Sequence, residues 1–280
     1  MSGVRVIARA AFPPLLRAIY DPPQRLYVRG NADAGVLEQP TAAVVGARSC
    51  SPYGAQVARR LGRELAAAGL VVVSGLARGI DGEAHRGALE TDGVTVAVLG
   101  CGIDRDYPAA HAELARRIRE RGLVVSEYEP GVEPAPWRFP ARNRIIAGLS
   151  AATVVVEARE RSGALITADL ALEEGRDVLA VPGENTSRLS SGTNALLKLG
   201  AAPCTCAEDV LELFGLTHEE RAAAPVGEAA AAVLAALPAA ADELVASTGL
   251  DAQAVAVALA ELELNGLASE GEGVFRASGR

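Results

Sequence analysis

From Thr41 to Ala201, short valine-rich runs alternate with amphipathic stretches, and this alternation limits the fold more than any other feature of the chain. The runs show little polar alternation, which is typical of strands buried on both faces: TAAVVGA, LVVVSG, TVAVLG, LVVSE, ATVVVEA and DVLAVPG. Because a helix-like stretch follows each run, the pattern predicts an α/β fold with a mostly parallel sheet covered by helices. Such sheets bind ligands beyond the carboxyl ends of their strands, so functional residues are expected in the loops there.

The chain of 280 residues is long for one domain, and its pattern changes after Leu213. Residues 1–40 form a lead-in segment, and residues 41–213 form the predicted sheet domain. Residues 214–227 are polar and alanine-rich, which is typical of a linker. Residues 228–280 predict three helices and a closing hairpin, LASEGEGVFRA, which is the order of a winged helix.

The third helix of a winged helix usually enters a DNA major groove. Here that helix and its flanks carry Asp251, Glu261 and Glu263 and neither lysine nor arginine. Duplex binding by this domain is therefore not expected.

No uninterrupted apolar stretch approaches the roughly 20 residues of a membrane-spanning helix, so no membrane association is expected. The N-terminal region is interrupted by Arg5, Arg9 and Arg17 and has no cleavage signature, which argues against secretion. A cytoplasmic location is the resulting expectation.

Metal binding is not expected from the cysteines or histidines. Cys50, Cys101, Cys204 and Cys206 form no CxxC pairs, and reduced thiols are expected. Asp81 and His85 are four residues apart and could share a helical face, but no third ligand lies nearby.

The net charge of −8 argues at first sight against a nucleic-acid partner, because phosphate binding requires concentrated positive charge. The charge is uneven along the chain. Residues 1–40 carry +2, residues 41–213 carry −3, and residues 214–280 carry −7. Most of the excess acid therefore lies in the C-terminal part.

Two loops that precede predicted helices carry arginine beside small residues. In GARSCSPYG, Arg48, Ser49 and Ser51 stand where free N–H groups at a helix start favour a phosphate. The alternative is that Ser51 only caps the helix and Arg48 points into solvent. In SGLARGID, Arg78 lies between Gly75 and Gly79, which let a backbone approach a ligand closely.

Two later loops repeat this arrangement of hydroxyls and glycine at a helix start. The first contains Arg161, Ser162 and Gly163 after the run ATVVVEA. The second contains Asn194 in SSGTN and is followed by Lys198, the single lysine of the chain. Each loop is a weak signal alone, and several at one sheet edge make a stronger one.

The segment WRFPARNRII is the most informative, because it holds Arg138, Arg142 and Arg144 with two aromatic residues and no acid. Basic side chains interleaved with flat ones suit a single nucleic-acid strand, whose phosphates take the charge while its exposed bases stack. Phe139 and Asn143 belong to the same candidate site. The alternative is that Trp137 and Phe139 close the core while the arginines pair with acids.

The catalytic motifs that the chain lacks are informative too. It contains no GxxxxGK[ST] phosphate loop, no GxSxG elbow and no HExxH helix, and Gly100-Cys101-Gly102 is too short for a dinucleotide fingerprint. We therefore expect neither enzymatic activity nor a cofactor.

Nine ordered blocks between about residue 15 and residue 213 resemble the DNA processing protein A family (DprA, also called Smf). They include GARSCSPYG, SGLARGID, VAVLGCGIDRDYP, SEYEPG, FPARNRIIAGLS, SGALITADLA and SGTNALLKLGA. The resemblance implies an extended Rossmann-like, doubly wound fold that dimerises and binds single-stranded DNA. It further implies protection of incoming DNA in natural transformation and loading of the RecA recombinase onto it.

Matched by motif, the family's positively charged DNA pocket corresponds to Arg48, Arg142 and Arg144. The resemblance extends to Arg78, Phe139, Asn143, Gly163 and Lys198. It also suggests that the C-terminal module mediates interactions rather than binding DNA strongly.

Two other classes of function stay open at this point. A nucleotide-processing enzyme of the nucleoside monophosphate hydrolase type could use SGLARGID to cradle a phosphate, although EARERSGALIT replaces the PGGxGTxxE block of such enzymes. A duplex-binding regulator could use the winged helix.

Overall fold

The structure, a computed structural model, describes residues 3–216, 227–264, 267–271 and 273–277. The chain divides into two compact units, Met1–His218 and Glu219–Arg280. The predicted linker at 214–227 falls largely on residues 217–226, which lie outside the described residues.

The first unit is built on one mixed sheet, in which six of the nine strands coincide with the apolar runs of the sequence. Its strands are β1 (Arg5–Ala8), β2 (Arg25–Arg29), β3 (Thr41–Val45), β4 (Val71–Ser74), β5 (Thr95–Leu99), β6 (Leu123–Ser126), β7 (Ala152–Val155), β8 (Asp177–Ala180) and β9 (Ala202–Pro203). Their order is β1-β2-β6-β5-β4-β3-β7-β8-β9. All neighbours from β6 to β9 are parallel, whereas β1 and β2 join antiparallel. The expected mostly parallel sheet is confirmed.

Helices cover both faces of this sheet. They are α1 (Pro14–Ala18), α2 (Pro52–Ala67), α3 (Ile80–Ala88), α4 (Ala112–Arg121), α5 (Arg138–Leu149), α6 (Gly163–Glu173), α7 (Ser191–Lys198) and α8 (Glu208–Leu211). Short 3-10 helices lie at Arg9–Ala11, Ala34–Glu38, Ala109–His111 and Glu212–Phe214.

Alternate residues of β3 enter different cores, which makes the fold doubly wound. Ala43 and Val45 pack with α5 and α6, whereas Ala42 and Val44 pack with α2 and α3. Successive side chains of a strand point to opposite faces, so an all-apolar strand must be buried on both sides. The doubly wound α/β fold is thus confirmed.

The lead-in segment takes part in this unit. Its strands β1 and β2 form an antiparallel hairpin, and Val28 in β2 pairs with Val125 in β6. Phe12 and Leu16 pack into the core under α5.

The strand order places a crevice between β3 and β7. From β3 the chain moves through β4 and β5 to β6 on one side, and then returns to β7 on the other side of β3. The loops that follow β3 and β7 therefore leave in different directions, and the gap between them is the usual ligand site of an open α/β sheet.

The second unit has the element order of a winged helix. It contains α9 (Glu228–Ala235), α10 (Ala241–Thr248), α11 (Ala252–Leu264) and the hairpin β10 (Ala268–Gly271) and β11 (Val274–Ala277). Ala239, between the first two helices, exchanges two backbone hydrogen bonds with Phe275. The predicted three helices and hairpin are confirmed.

Among the described residues, no single helix is long and apolar enough to cross a membrane. Only α10 and the Ala252–Glu263 part of α11 pass such a test together, and they are bent by 113° relative to each other.

Candidate nucleic-acid interface

A cleft of about 470 Å³ lies at the crevice between β3 and β7. Its walls are the loop after β3, the loop after β7 and the first half of α5. Eight of the sequence-predicted residues line it: Arg48, Ser49, Phe139, Arg142, Asn143, Arg161, Ser162 and Gly163. The topology thus brings together segments that are more than 100 residues apart in the chain.

Three arginines supply the accessible positive charge of the cleft. Arg48, Arg159 and Arg161 are exposed, and none has an ion-pair partner in the described part of the chain. Arg48 also lies over the ring of Phe139, with its Cζ 5.1 Å from the ring centroid. A guanidinium without a carboxylate partner can offer its fork of donors to a phosphate.

Arg142 forms the floor of the cleft and is only 4% exposed. Its Nη1 donates to the carbonyl oxygens of Gly75 and Val98, and its Nε donates to Asn143 Oδ1. Asn143 in turn donates to the carbonyl oxygen of Gly163 at 3.0 Å. This network ties α5 to the ends of β4 and β5 and to the start of α6.

The backbone of Gly75 connects Arg142 to a buried carboxylate. Its carbonyl accepts from Arg142, and its N–H donates to Asp81 Oδ2 at 3.1 Å. Burial raises the pKa of Asp81, although the charge of Arg142 and the hydrogen bonds from Ala77 and Gly75 oppose this shift. Burial also lowers the pKa of Arg142 to about 10, and that side chain still stays protonated at neutral pH.

The start of α2 is occupied by a carboxylate of the protein itself. Ser51 caps the helix by accepting from the N–H of Gly54, and its own N–H and hydroxyl both donate to the buried Glu157. Ser51 therefore acts as the helix cap that was the alternative expected from the sequence, and both of its donors are already used. Ser51 does not line the cleft, whereas Ser49 does.

The two glycines of SGLARGID give room to the protein's own segments. A side chain at Gly75 would collide with the guanidinium of Arg142, and one at Gly79 would collide with the backbone of Ala47 and Arg48. Gly79 also has φ of 75°, which favours glycine. Arg78 between them is exposed but does not line the cleft.

Arg144 lies away from the cleft and is neutralised. Its guanidinium forms two hydrogen bonds with Glu127, at 2.8 and 2.7 Å, and another with Asp21 at 3.0 Å. Residues two apart on a helix differ by about 200° in direction, so Arg142 and Arg144 cannot face the same site. The pocket position inferred for Arg144 from its motif does not match this geometry.

Asn194 and Lys198 also lie outside the cleft. The Asn194 side chain exchanges two hydrogen bonds with the backbone of Gly183 and thereby closes the loop after β8. Lys198 is the exposed last residue of α7.

Sequence reasoning did not select Arg159 or Asp81 as site residues. Arg159 stands two residues before Arg161 in the loop after β7, so the rule that loops after strands carry function could have found it. Asp81 could not be found in this way, because its role depends on a long-range contact with Arg142. No cluster of three potential metal ligands occurs among the described residues.

The fold and the site together define a Rossmann-like module with an arginine-lined cleft at the crevice between β3 and β7. A family model described as DNA recombination-mediator protein A matches residues 3–215, and one described as DprA winged helix domain matches residues 217–273. The chain therefore belongs to the DNA processing protein A family.

Individual relatives agree with this assignment. The chain is 48% identical over 203 residues to DNA processing protein DprA of Streptococcus pneumoniae, covering 72% of this chain and 71% of that protein. The solved structure of that protein has a TM-score of 0.71 at 45% identity, over 75% of this chain and 74% of the other. The putative DprA of Mycobacterium tuberculosis is 44% identical over 266 residues, which are 91% of this chain and 68% of that protein.

A further solved structure concerns the single-stranded DNA binding mode of DNA processing protein A from Helicobacter pylori. Its TM-score is 0.69 at 31% identity, and the match covers 76% of this chain and 98% of that one.

Replacing Arg142 by methionine should lower the free energy of unfolding by about 2–5 kcal/mol, because buried carbonyls lose their donor and Asp81 loses a nearby positive charge. Urea unfolding followed by circular dichroism measures this change. Arg78→Met removes an exposed, unpaired arginine and should change stability by less than about 0.5 kcal/mol. An Arg142→Met protein as stable as the wild type would show that the network does not support the cleft.

A buried imidazole on α3 predicts a pH dependence of stability. His85 is fully buried, its Nδ1 contacts Thr95 Oγ1 at 2.7 Å, and burial lowers its pKa to about 3. The unfolded chain takes up this proton below about pH 6.5 and the folded chain does not, so stability falls between pH 6.5 and about 3.

His85 should therefore contribute roughly 2 kcal/mol to the loss of unfolding free energy between about pH 7 and pH 5. Urea titrations of wild type and His85→Asn at both pH values isolate this contribution. The variant should lose less stability than the wild type over that interval, and equal losses would contradict a neutral, buried His85.

Proposed function

We propose that this chain binds single-stranded DNA through the cleft between β3 and β7. The observation that carries the proposal is the convergence of Arg48, Arg159 and Arg161 around the buried charge of Arg142. The three arginines are exposed and have no carboxylate partner among the described residues. The N-terminus of α6, with Ser162 and Gly163, opens into the same cleft and adds backbone N–H groups. This local concentration of positive charge outweighs the net charge of −8, because salt screens distant exposed charges.

Similarity supports the choice of ligand. The structure of the Helicobacter pylori relative describes the single-stranded DNA binding mode of that protein. The structural match to this chain covers 98% of the relative's own length. Phe139 and Asn143 line the cleft, and Asn143 is already hydrogen-bonded to Arg142 and Gly163, so it supports the cleft wall. Duplex binding by α11 is disfavoured, because the helix carries Glu261 and Glu263 and no basic residue.

The wider role that we propose is protection of incoming DNA in natural transformation and loading of the RecA recombinase onto it. The match to a recombination-mediator family over residues 3–215 supports this role. The protein should accelerate RecA filament assembly on oligonucleotides that are already coated by a single-strand binding protein. No acceleration in that assay would remove RecA as a partner.

We also propose that the chain acts as a homodimer through the Rossmann-like unit. Two exposed apolar side chains, Ile166 on α6 and Leu199 just after α7, line one groove and support a contact there. Light scattering should give a dimer mass for the wild type and a monomer mass for Leu199→Arg. A monomeric wild type at micromolar concentration would exclude the dimer.

The cleft, in our proposal, binds without catalysis. The buried carboxylate that lines it, Asp81, already accepts from the N–H groups of Gly75 and Ala77, and the nearby Glu157 already accepts from Ser51. Incubation with nucleoside monophosphates should release no free base. Release of base would favour a hydrolase instead.

The triple variant Arg48→Ala, Arg159→Ala, Arg161→Ala should bind oligo-dT much more weakly than the wild type. Each lost phosphate contact lowers the slope of log affinity against log salt by about 0.7, so the slope should fall by about 2. Fluorescence anisotropy of a labelled oligonucleotide across a salt series measures both quantities.

A matched control removes three exposed arginines from α2 and α4, namely Arg63, Arg116 and Arg121. It changes the net charge equally. It loses surface ion pairs and one exposed hydrogen bond from Arg121 to the carbonyl of Thr91, which contribute little to stability. Equal affinity and equal salt slope for the two triple variants would show that the cleft is not the DNA site.

A further inference from the structure

The single tryptophan of the chain stands at the surface. Trp137 is 63% exposed and forms the N-cap residue of α5. Isolated exposed apolar side chains are common in soluble proteins, so exposure alone does not indicate a binding site. The contact of Trp137 with its neighbour Arg138 is a more specific indication of a binding site.

The guanidinium of Arg138 lies over two aromatic rings. Its Cζ is 4.8 Å from the ring centroid of Trp137 and 5.1 Å from that of Tyr128, and its Nη1 donates to the carbonyl oxygen of Glu133. Arg138 forms no ion pair in the described part of the chain, and its buried Nε has no hydrogen-bond partner there. Its charge is thus compensated by rings and a carbonyl rather than by a carboxylate.

This group of Tyr128, Arg138 and Trp137, here called the tryptophan platform, is continuous with the cleft wall. Arg138 directly precedes Phe139, which lines the cleft. The ring of Phe139 already has two neighbours, Tyr107 at a centroid distance of 5.4 Å and Arg48 at 5.1 Å. A base must therefore displace Arg48 or Tyr107 to stack fully on Phe139.

Trp137 needs no such rearrangement. Arg138 covers part of its ring, and the exposure of 63% leaves the rest open to solvent. A flat ring that is held in place before binding loses little conformational entropy when a base stacks on it.

We propose that the tryptophan platform is a second contact site for single-stranded DNA, where one base outside the cleft stacks on Trp137. The inference rests on the proposed function, because the cleft must hold the neighbouring phosphates. The site takes unpaired bases of any sequence, since every base presents a flat face. A duplex is excluded, because its bases are already stacked inside the helix.

The intrinsic fluorescence of the wild-type protein tests this proposal directly, since all tryptophan emission comes from position 137. Oligo-dT should quench the emission, with the same midpoint as the anisotropy of a labelled oligonucleotide. Unchanged emission at saturating oligonucleotide would overturn the platform and leave the cleft proposal intact. Loss of binding in the cleft triple variant tests the cleft separately.

Affinity measurements provide the second test. Trp137→Ala should weaken oligo-dT binding about tenfold, within the range for one stacked base, and should leave the salt slope unchanged because the ring carries no charge. Trp137→Phe should retain most of the affinity. Tyr20→Ala removes a ring that is 97% exposed elsewhere and should have no effect.

An abasic oligonucleotide separates stacking from a general disturbance of the site. Wild type and Trp137→Ala should bind it equally, because no base is present to stack. A tenfold difference on the abasic strand, or no difference on oligo-dT, would contradict the proposal. In the second case, the exposed ring would instead fit a protein partner.

Discussion

The buried guanidinium of Arg142 holds the functional edge of this protein together. It binds carbonyl oxygens at the ends of β4 and β5 while its neighbour Asn143 binds the start of α6. A buried charge is costly unless it is well hydrogen-bonded, so the loops around it have little freedom to rearrange. The buried Arg142 therefore supports the cleft, and the exposed arginines around it have no ion-pair partner in the described part of the chain.

The contrast between the buried Arg142 and the exposed arginines of the cleft explains how an acidic chain can offer a site for a polyanion. The exposed arginines of the cleft have no ion-pair partner among the described residues, whereas arginines elsewhere, such as Arg116 on α4 and Arg59 on α2, are paired with glutamates. Exposed arginines without ion pairs thus meet at the cleft, whereas several arginines of α2 and α4 are neutralised by glutamates. The net charge of −8 does not report this arrangement, because it is a sum over the whole chain.

Much of the fold follows from the sequence, because strand burial on both faces and helical spacing are local patterns. The six valine-rich runs correspond to β3 through β8, and the loops after β3 and β7 do meet in one cleft. The pairing of individual arginines was harder to foresee, because it depends on distant residues. Helix geometry alone, however, predicts that Arg142 and Arg144 point in different directions, so only one of them can face the cleft.

In our proposal, a single DNA strand lies along the carboxyl edge of the sheet. The most direct measurement is photo-crosslinking of the full chain to oligo-dT that carries a photoreactive thymidine, followed by peptide mapping. We expect adducts in the loops at residues 46–51 and 156–163 and in the first turns of α5. Adducts confined to α4 or to the winged-helix unit would contradict it.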